Sequence, residues 1–322
     1  MANQGKTVVT GGAGFIGSHL VDRLVAGGGE VVVIDNLSSG KPEFISQHRG
    51  KPGFKFVKAD LLKPGQYSSE LEGAGVIYHL AANPDVKAAI ANTRIEIDQG
   101  ILSTYNLLEQ ARKRDVQSIV FSSSSVVYGE PLVVPVAEDY GPLLPISFYG
   151  ASKLAGEGLL SAYCGTFGMA GITYRFANVV GARSTHGVIY DFCKKLRKNP
   201  SSLEVLGDGK QTKSYILVEE CVDAILFGAS KRLGKISASM DVFNIANSDW
   251  ISVADIAKEV IAASGIAGTK ISFTGGKRGW PGDVPKVMLD GAKLAKLGWT
   301  PKSNSLQAVR AAAKTTWKET GA

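Results

Sequence analysis

Short runs of consecutive apolar residues, with amphipathic stretches between them, recur through the first half of the chain. The runs are Lys6–Thr10, Glu30–Asp35, Phe54–Asp60, Gly75–Ala81, Gln117–Ser123 and Gly171–Ala177. Strands buried on both faces of a parallel sheet have this pattern, because helices cover both sides of such a sheet. The stretches Gly17–Ala26, Gly100–Arg114 and Tyr149–Phe167 have the pattern of those covering helices. The alternation predicts an α/β fold with a doubly wound parallel sheet.

The second half of the chain is richer in Gly, Pro and polar residues. Ser252–Ser264 and Asn304–Glu319 are predicted helices, and the strand character of Val242–Ala246 would return that segment to the main sheet. We predict a first domain at residues 1–178 with a returning segment near 215–247. A smaller, discontinuous C-terminal domain is predicted at 179–214 and 248–322.

Composition excludes several classes of protein. No apolar run approaches the ~18 residues that a membrane span needs, and no apolar signal core precedes the first strand. Cys164, Cys193 and Cys221 are far apart, which favours core thiols in a reducing cytoplasm over disulfides or a zinc site. The net charge of +7 comes with only short basic clusters, typical of solvated helix faces. We expect a cytoplasmic protein with no membrane or nucleic-acid partner.

A glycine-rich segment, Thr10–Gly17, lies between the first predicted strand and the first predicted helix. Glycines there permit a tight turn and let backbone N–H groups reach a pyrophosphate at the helix N-terminus. Asp35 ends the second predicted strand, 18 residues after Gly17, where a carboxylate binds the adenosine ribose. It would repel a 2′-phosphate, and Asn36 rather than Arg follows it. We therefore predict that residues 1–178 bind a dinucleotide, and that this is NAD rather than NADP.

Two further strand ends face the same predicted crevice. Asp60 is positioned to accept from the adenine amino group, and the small residues of Leu80–Asn83 leave room for the adenosine half of the cofactor. His79 is predicted to be a packed strand histidine, and nothing nearby has metal-ligand spacing.

A serine-rich strand end, Ser122–Ser125, precedes a helix that opens with Tyr149 and Lys153. Residues four apart on a helix share one face. An ammonium and a positive nicotinamide ring near the phenol would lower the pKa of Tyr149, which makes it a candidate general base for an alcohol. A serine hydroxyl from the strand end would bind the same oxygen.

The chain resembles the extended short-chain dehydrogenase/reductases, and among them the UDP-glucose 4-epimerase-like nucleotide-sugar epimerases. The motifs that carry the resemblance occur in the family's order and are TGGAGFIGSHL, VIDNLSSG, SSSSVVYG, YGASK, RFANVVGAR, GDGKQTKSY and GWPGDV. They extend over nearly the whole chain and are more specific for fold and cofactor than for the sugar. The resemblance implies that residues 179–214 and 248–322 bind the nucleotide sugar.

The resemblance also implies roles for individual residues near the cofactor. Those that would hold the pyrophosphate are Gly11, Gly14, Phe15, Ile16 and Gly17, and those on the adenosine ribose side are Asp35, Asn36, Ser38 and Ser39. Asp60 and Leu61 would flank adenine. The remaining implied cofactor contacts are Leu37, Gly40, Leu80, Ala81, Ala82, Asn83, Ser122, Tyr149, Lys153 and Ala177.

For the chemistry, the resemblance implies that Tyr149 is the base, Lys153 binds the nicotinamide ribose and tunes Tyr149, and Ser124 contacts the reacting hydroxyl. Ser124 is chosen among the serines because it lies four residues before Tyr128. The other implied substrate contacts are Asn178, Val188, Lys213, Arg278 and Val287. The small Val287, four residues after Asp283, would leave room for an N-acetyl group.

Three positions depart from the family pattern. Gly100 stands where epimerases often have Asn, so it has no side chain to make the cofactor hydrogen bond of that Asn. Lys213 replaces a common Arg, which weakens bidentate phosphate recognition. Trp280 takes the usual place of an Arg, and Arg278 lies two residues earlier.

The predicted activity is reversible inversion at C4 of a UDP-hexose through a 4-keto intermediate. The hexose is glucose or galactose, and the N-acetylated sugars are possible substrates. A UDP-uronic acid 4-epimerase, or another NAD-dependent nucleotide-sugar dehydratase or dehydrogenase, remains an alternative. Ser125 and Val126 supply no carboxylate beside the strand-end serine, which argues against dehydration. A non-catalytic dinucleotide-binding module is a distant alternative. Family analogy predicts a homodimer through helices that include Gly100–Arg114 and Tyr149–Phe167.

Overall fold

The computed structural model describes residues 5–280, 282–284 and 286–321. Its strands are β1 (Lys6–Thr10), β2 (Val31–Asp35), β3 (Phe54–Lys58), β4 (Ala74–His79), β5 (Ser118–Ser124), β6 (Ala170–Phe176), β7 (Asn178–Val180), β8 (Ser202–Val205), β9 (Thr212–Lys213), β10 (Tyr215–Leu217), β11 (Ser239–Ile245), β12 (Ile251–Ser252), β13 (Lys270–Phe273) and β14 (Lys286–Val287). Its α-helices are α1 (Phe15–Ala26), α2 (Ala88–Ala91), α3 (Arg94–Glu96), α4 (Ser103–Lys113), α5 (Phe148–Phe167), α6 (Val188–Lys198), α7 (Val218–Arg232), α8 (Val253–Ser264), α9 (Ala292–Lys296) and α10 (Ser305–Glu319).

The chain divides into two compact units. The first comprises Met1–Val127, Phe148–Arg175 and Ile225–Phe243, and the second comprises Tyr128–Ser147, Phe176–Ala224 and Asn244–Ala322. The predicted assignment of one ligand to residues 1–178 and another to 179–214 and 248–322 stays a prediction.

A sheet with the strand order β11-β6-β5-β4-β1-β2-β3 is the framework of the first unit. The pairs β1–β2, β2–β3, β1–β4 and β4–β5 are parallel. Every residue of β2 and of β6 is buried, as expected for strands covered on both faces. The predicted α/β class with a doubly wound parallel sheet is confirmed. The predicted return of Val242–Ala246 to this sheet is also confirmed, because β11 lies beside β6.

The helix predicted over Gly100–Arg114 begins later than its sequence pattern indicates. Residues Ile97–Leu102 form a π-helical turn, and α4 follows from Ser103. Such turns hold one more residue than an α-helical turn and occur often at functional sites. The helix predicted at Tyr149–Phe167 is confirmed as α5, which begins one residue earlier.

The second unit is built from helices around small sheets. Its sheets are β10–β7, β12–β9–β14 and β13–β8. Buried apolar side chains of α6, α8 and α10, among them Phe192, Ile256 and Val309, form its core. Asn304 caps α10 in a reciprocal capping box with Gln307. None of the helices in the described part of the chain combines the length and apolarity that crossing a bilayer requires.

Candidate active site

The glycine-rich turn between β1 and α1 has no room for side chains at two positions. Gly11 has a φ of +69°, and a Cβ there would lie 2.6 Å from the backbone nitrogen of Ala81. A Cβ at Gly17 would lie 2.1 Å from the carbonyl oxygen of Gly11. Phe15 and Ile16 open α1, and its N-cap residue Gly14 offers no side-chain acceptor. The turn therefore presents a helix N-terminus without a side-chain cap, which is the setting that a pyrophosphate needs.

Asp35, at the end of β2, is bonded to this turn. Its Oδ2 accepts a hydrogen bond from the Ala13 amide at 3.0 Å, and its Oδ1 accepts one from the Leu37 amide at 2.8 Å. Burial raises the pKa of Asp35, although these two hydrogen bonds act to lower it. A Cβ at Gly40 would lie 2.8 Å from Oδ1. Each oxygen keeps a second lone pair, so the carboxylate fixes the loop and still has capacity to accept from a hydroxyl.

The rest of the predicted ribose loop is more open. The side chain of Asn36 accepts from the Ser38 amide at 2.9 Å. Ser38 and Ser39 are exposed, and Leu37 has a positive φ of 61°. The Asn36 and Asp35 side chains therefore both shape the loop from within.

At the ends of β3 and β4, the predicted adenine contacts are partly occupied by the protein itself. Asp60 Oδ1 accepts from the Leu62 amide at 2.9 Å, and the carbonyl of Leu61 accepts from Asn106 at 3.1 Å. Leu80, Ala81 and Ala82 are half-buried. Asn83 Nδ2 donates to the Asp85 carbonyl and to Glu96 Oε1, both at 2.9 Å, so its donors are already engaged.

His79 is a packed strand histidine, as predicted. Its Nδ1 lies 2.8 Å from Thr10 Oγ1 and its Nε2 lies 3.0 Å from Thr104 Oγ1. Burial, with a smaller contribution from Lys153, lowers the pKa of His79 to about 3. The ring is therefore neutral near pH 7.

Lys153 is anchored at the carboxyl end of β5. Its Nζ donates to the Ser122 carbonyl at 2.7 Å and lies 5.7 Å from the centroid of the Tyr149 ring. The side chain is buried, and burial lowers the pKa of Lys153 to about 8, although Glu96 and Glu157 act in the opposite direction. Tyr149 and Lys153 thus lie together on one side of α5, as their spacing predicts.

The expected lowering of the Tyr149 pKa depends on the nicotinamide ring as well as on Lys153, and it stays a prediction. Burial raises the pKa of Tyr149, and the nearby charge of Glu96 raises it further. Desolvation of the phenolate outweighs the attraction of Lys153, which makes no hydrogen bond to Tyr149 in the described part of the chain. Within those same residues, the Tyr149 hydroxyl has no protein hydrogen-bond partner.

The serines at the end of β5 have different surroundings. Ser122 donates to the His79 carbonyl at 3.1 Å, and Ser123 donates to Glu157 Oε1 at 2.5 Å. Ser124 is half-buried, and its Oγ lies 3.5 Å from the Val126 amide. The hydroxyls of Ser122 and Ser123 therefore support the sheet, whereas Ser124 makes no shorter hydrogen bond within the part of the chain that the structure describes.

Behind the serines lies a buried ion pair that sequence reasoning missed. Arg175 of β6 donates to both carboxylate oxygens of Glu157, at 3.0 and 2.7 Å, and both side chains are 5% exposed. Arg175 and Glu157 belong to no sequence motif, so their pairing is recognised only from the packing of β6 against α5.

In the second unit, two of the predicted substrate contacts meet at Asp283. Lys213 Nζ binds Asp283 Oδ1 at 2.5 Å, and Arg278 donates to the Asp283 carbonyl at 2.8 Å. Arg278 also pairs with Glu130 at 2.7 Å. Glu130 was not predicted, and no sequence signal indicates it.

The other predicted residues of the second unit lie on separate elements. Asn178 begins β7, and its Nδ2 donates to the Ser214 carbonyl at 3.1 Å. Val188 begins α6, and the buried Val287 of β14 pairs in register with Lys213 of β9. The Ala177 amide donates to the Ile245 carbonyl at 2.9 Å.

The sequence profile of the NAD dependent epimerase/dehydratase family matches residues 7–246. The chain belongs to this family. A UDP-glucose 4-epimerase of Mycolicibacterium smegmatis is 33% identical over 309 residues, which cover 92% of this chain and 94% of that protein. The predicted resemblance to UDP-glucose 4-epimerase-like enzymes is confirmed.

Solved structures agree with this membership of the epimerase/dehydratase family. A crystal structure of a UDP-galactose 4-epimerase has 42% identity and a TM-score of 0.87, and covers 98% of this chain and 99% of that one. A UDP-glucuronic acid 4-epimerase from Bacillus cereus, in complex with UDP-glucuronic acid and NAD, has 28% identity and a TM-score of 0.87. It covers 98% of this chain and 99% of that one. The present chain is therefore an NAD-dependent epimerase. Its glycine-rich turn and its Asp35 loop fit that cofactor.

Proposed function

We propose that the protein catalyses the reversible 4-epimerisation of a UDP-hexose, UDP-glucose or UDP-galactose, and also accepts the N-acetylated sugars. The observation that carries the proposal is the pairing of Tyr149 with Lys153. The Tyr149 hydroxyl has no protein partner in the described residues, and Lys153 is fixed beside it by the Ser122 carbonyl. A phenol with an adjacent buried cation is suited to remove a proton from a sugar hydroxyl.

Gly11, Gly14, Phe15, Ile16 and Gly17 would hold the pyrophosphate of NAD, and the Asp35–Gly40 loop would hold its adenosine ribose. The chemistry that the bound cofactor supplies is reversible oxidation at C4 of the sugar. The pyrophosphate site is proposed because side chains do not fit at Gly11 and Gly17, which keeps the helix N-terminus accessible. The ribose site is proposed because both Asp35 carboxylate oxygens keep a lone pair.

In the proposed mechanism, the Tyr149 phenolate removes the proton of the C4 hydroxyl, and Ser124 hydrogen-bonds the same oxygen. Loss of this proton, together with the two-electron oxidation at C4 that bound NAD would supply, would give the 4-keto sugar. That sugar would rotate while its UDP stays bound. Tyr149 then returns the proton to the C4 oxygen of the inverted sugar, so no net proton is consumed. Because burial raises the pKa of Tyr149, the phenolate requires a positive charge beside it, which Lys153 supplies.

The UDP would be held by Asn178, Val188, Lys213 and Arg278. The two cations already have anionic partners, Asp283 and Glu130. A diphosphate would therefore join or displace these pairs rather than meet free charge. Val287 takes a place where, by the resemblance to the family, a small side chain would leave room for an N-acetyl group.

The test is a set of UDP-sugars incubated with the purified enzyme, with product stereochemistry read by NMR. We expect the C4 isomer to form without accumulation of free NADH. Tyr149→Phe should retain NAD and lose most of the activity, whereas Tyr105→Phe, an exposed tyrosine of α4, should behave like the wild type. Turnover by Tyr149→Phe close to the wild-type rate would refute the assignment.

A UDP-uronic acid 4-epimerase is the second candidate, favoured by the similarity to the Bacillus cereus enzyme. UDP-glucuronic acid therefore belongs in the same set of sugars. Faster inversion of the uronic acid than of the neutral hexoses would replace the first proposal by this one.

We also propose a homodimer through the helix pair α4 and α5. Tyr105 of α4 and Phe167 of α5 are exposed aromatic residues on these helices. Sedimentation equilibrium should give the mass of two chains, and Tyr105→Glu should lower it toward that of one. A wild-type mass of one chain would contradict the proposal.

A cytoplasmic location is proposed from the thiols. Cys164, Cys193 and Cys221 are free and buried. Unpaired cysteines of this kind are typical of a reducing compartment. Cell fractionation with an antibody to the protein tests the location, and recovery outside the cytoplasm would contradict it.

A further inference from the structure

A buried carboxylate lies beside the Tyr149–Lys153 pair and has no role in the proposed mechanism. Glu96 ends the short helix α3, which packs against α5, and is 2% exposed. Its Oε2 accepts a hydrogen bond from Ser152 at 2.8 Å, and its Oε1 accepts one from Asn83 at 2.9 Å. Ser152 lies directly before Lys153 on α5.

Gly100, in the π-helical turn after α3, allows this arrangement. A Cβ at Gly100 would lie 2.6 Å from Ser152 Oγ and 3.4 Å from Glu96 Oε2. Any larger residue would therefore have to displace Ser152 or the turn. The Ser152 hydroxyl thus occupies the space that a side chain at position 100 would need.

Glu96 differs from the other ionisable groups around Lys153 in its partners. On α5 the other carboxylate is Glu157, which is closed in a two-bond ion pair with Arg175 of β6. On β4, His79 is held neutral between Thr10 and Thr104. Asp98 pairs with the exposed Arg94. Among the described residues around Lys153, Glu96 is the buried carboxylate that no cation neutralises directly.

We propose that Glu96 is a positioning residue for Tyr149 and Lys153: it fixes Ser152 on α5 and supplies the negative charge that keeps buried Lys153 protonated. A buried charge is costly unless another charge compensates it. Glu96 favours the protonated form of both groups, because it raises the pKa of Lys153 and that of Tyr149. The inference rests on the proposed function only in treating these two residues as the catalytic pair.

The first experiment measures Lys153 without substrate or turnover. The protein is labelled with 13C at the lysine Cε, and the Lys153 resonance, assigned by Lys153→Arg, is titrated in the wild type and in Glu96→Gln. The wild-type midpoint is expected near pH 8. The variant midpoint should fall by about 1 pH unit, the lower end of what a nearby opposite charge contributes. An unchanged midpoint in a folded variant would overturn the proposal.

Two variants serve as controls for the titration. Asp98→Asn also removes one negative charge, two residues away, but from the exposed pair with Arg94, so the Lys153 midpoint should stay at the wild-type value. Glu96→Asp keeps the charge, and its midpoint should lie closer to the wild type than that of Glu96→Gln. Equal displacement by Asp98→Asn and Glu96→Gln would show a general effect of net charge and contradict a specific role.

If Glu96→Gln does not fold, a pair of variants keeps the proposal testable. Lys153→Met removes the cation that Glu96 compensates, so adding Glu96→Gln to it should not lower the denaturation midpoint further. The double variant should therefore fold even if Glu96→Gln alone does not. A double variant that fails to fold, or that unfolds more easily than Lys153→Met, would mean that Glu96 acts independently of Lys153 and would overturn the proposal.

For the active enzyme, removal of the Glu96 charge lowers the pKa of both groups. Both limbs of the kcat–pH profile should therefore move to lower pH, a displacement that a purely structural defect would not cause. Because the titration needs no substrate, failure of the proposed activity and failure of this inference are distinguishable.

Discussion

Replacement of Arg175 by Met tests whether the buried ion pair behind the serine strand is desolvated. The Arg175 and Glu157 side chains are 5% exposed, so the substitution strands a buried carboxylate whose remaining hydrogen bond, among the described residues, comes from the hydroxyl of Ser123. Loss of one partner of such a pair costs about 3–5 kcal/mol of unfolding free energy. Replacement of both partners by apolar residues of similar volume, Arg175→Met with Glu157→Met, should cost much less.

Urea denaturation followed by far-UV circular dichroism measures the loss. The four tryptophans, at positions 250, 280, 299 and 317, lie in the second unit, so their fluorescence alone would follow the wrong part of the chain. Arg94→Ala is the matched control, because Arg94 pairs with Asp98 at the surface and is 68% exposed. An exposed pair of this kind contributes about 0–1 kcal/mol.

The double variant gives a second check. Arg175→Met with Glu157→Met leaves no stranded carboxylate, so its loss of stability should be clearly smaller than that of Arg175→Met alone. A loss in Arg175→Met no larger than that of Arg94→Ala, or a double variant as unstable as Arg175→Met, would refute the reasoning.

Three further predictions concern the cofactor turn, a helix cap and the sugar pocket. Gly17→Ala places a Cβ 2.1 Å from the Gly11 oxygen, so it should weaken NAD binding about tenfold or more, as measured by calorimetry. Gly65→Ala is the control and should bind NAD like the wild type, because nothing lies within 4 Å of a Cβ there. Asn304→Ala should cost about 1 kcal/mol in chemical denaturation by removing the cap of α10, and Lys314→Ala on the same helix should change stability little; equal losses would refute the capping role. Val287→Tyr should lower the ratio of N-acetylated to plain hexose turnover in a paired assay, and an unchanged ratio would mean that residue 287 does not border the acetyl group.

The sheet and its return strand were predictable because their signals are local. Runs such as those of β1 and β2 are apolar on consecutive residues, and the turn glycines, Asp35, Tyr149 and Lys153 stand at spacings fixed by strand ends and helix periodicity. Burial of these segments follows from the same pattern.

What the sequence did not predict depends on which segments pack together. Glu96 sits in a three-residue helix with no periodicity, and its burial arises only where α3 meets α5. The rise that burial causes in the Tyr149 pKa has the same origin, because desolvation by surrounding elements exceeds the attraction of one lysine. The Asp283 partner of Lys213 and the Glu130 partner of Arg278 likewise lie far away in sequence.

The position of β11 at the border of the sheet has a consequence for biosynthesis. The strand that covers β6 is made only after residues 177–238 have left the ribosome. Until then, one row of peptide groups along β6 is open to pairing with another nascent chain. A premature stop codon in that interval would therefore yield an aggregation-prone product, not a truncated nucleotide-binding protein.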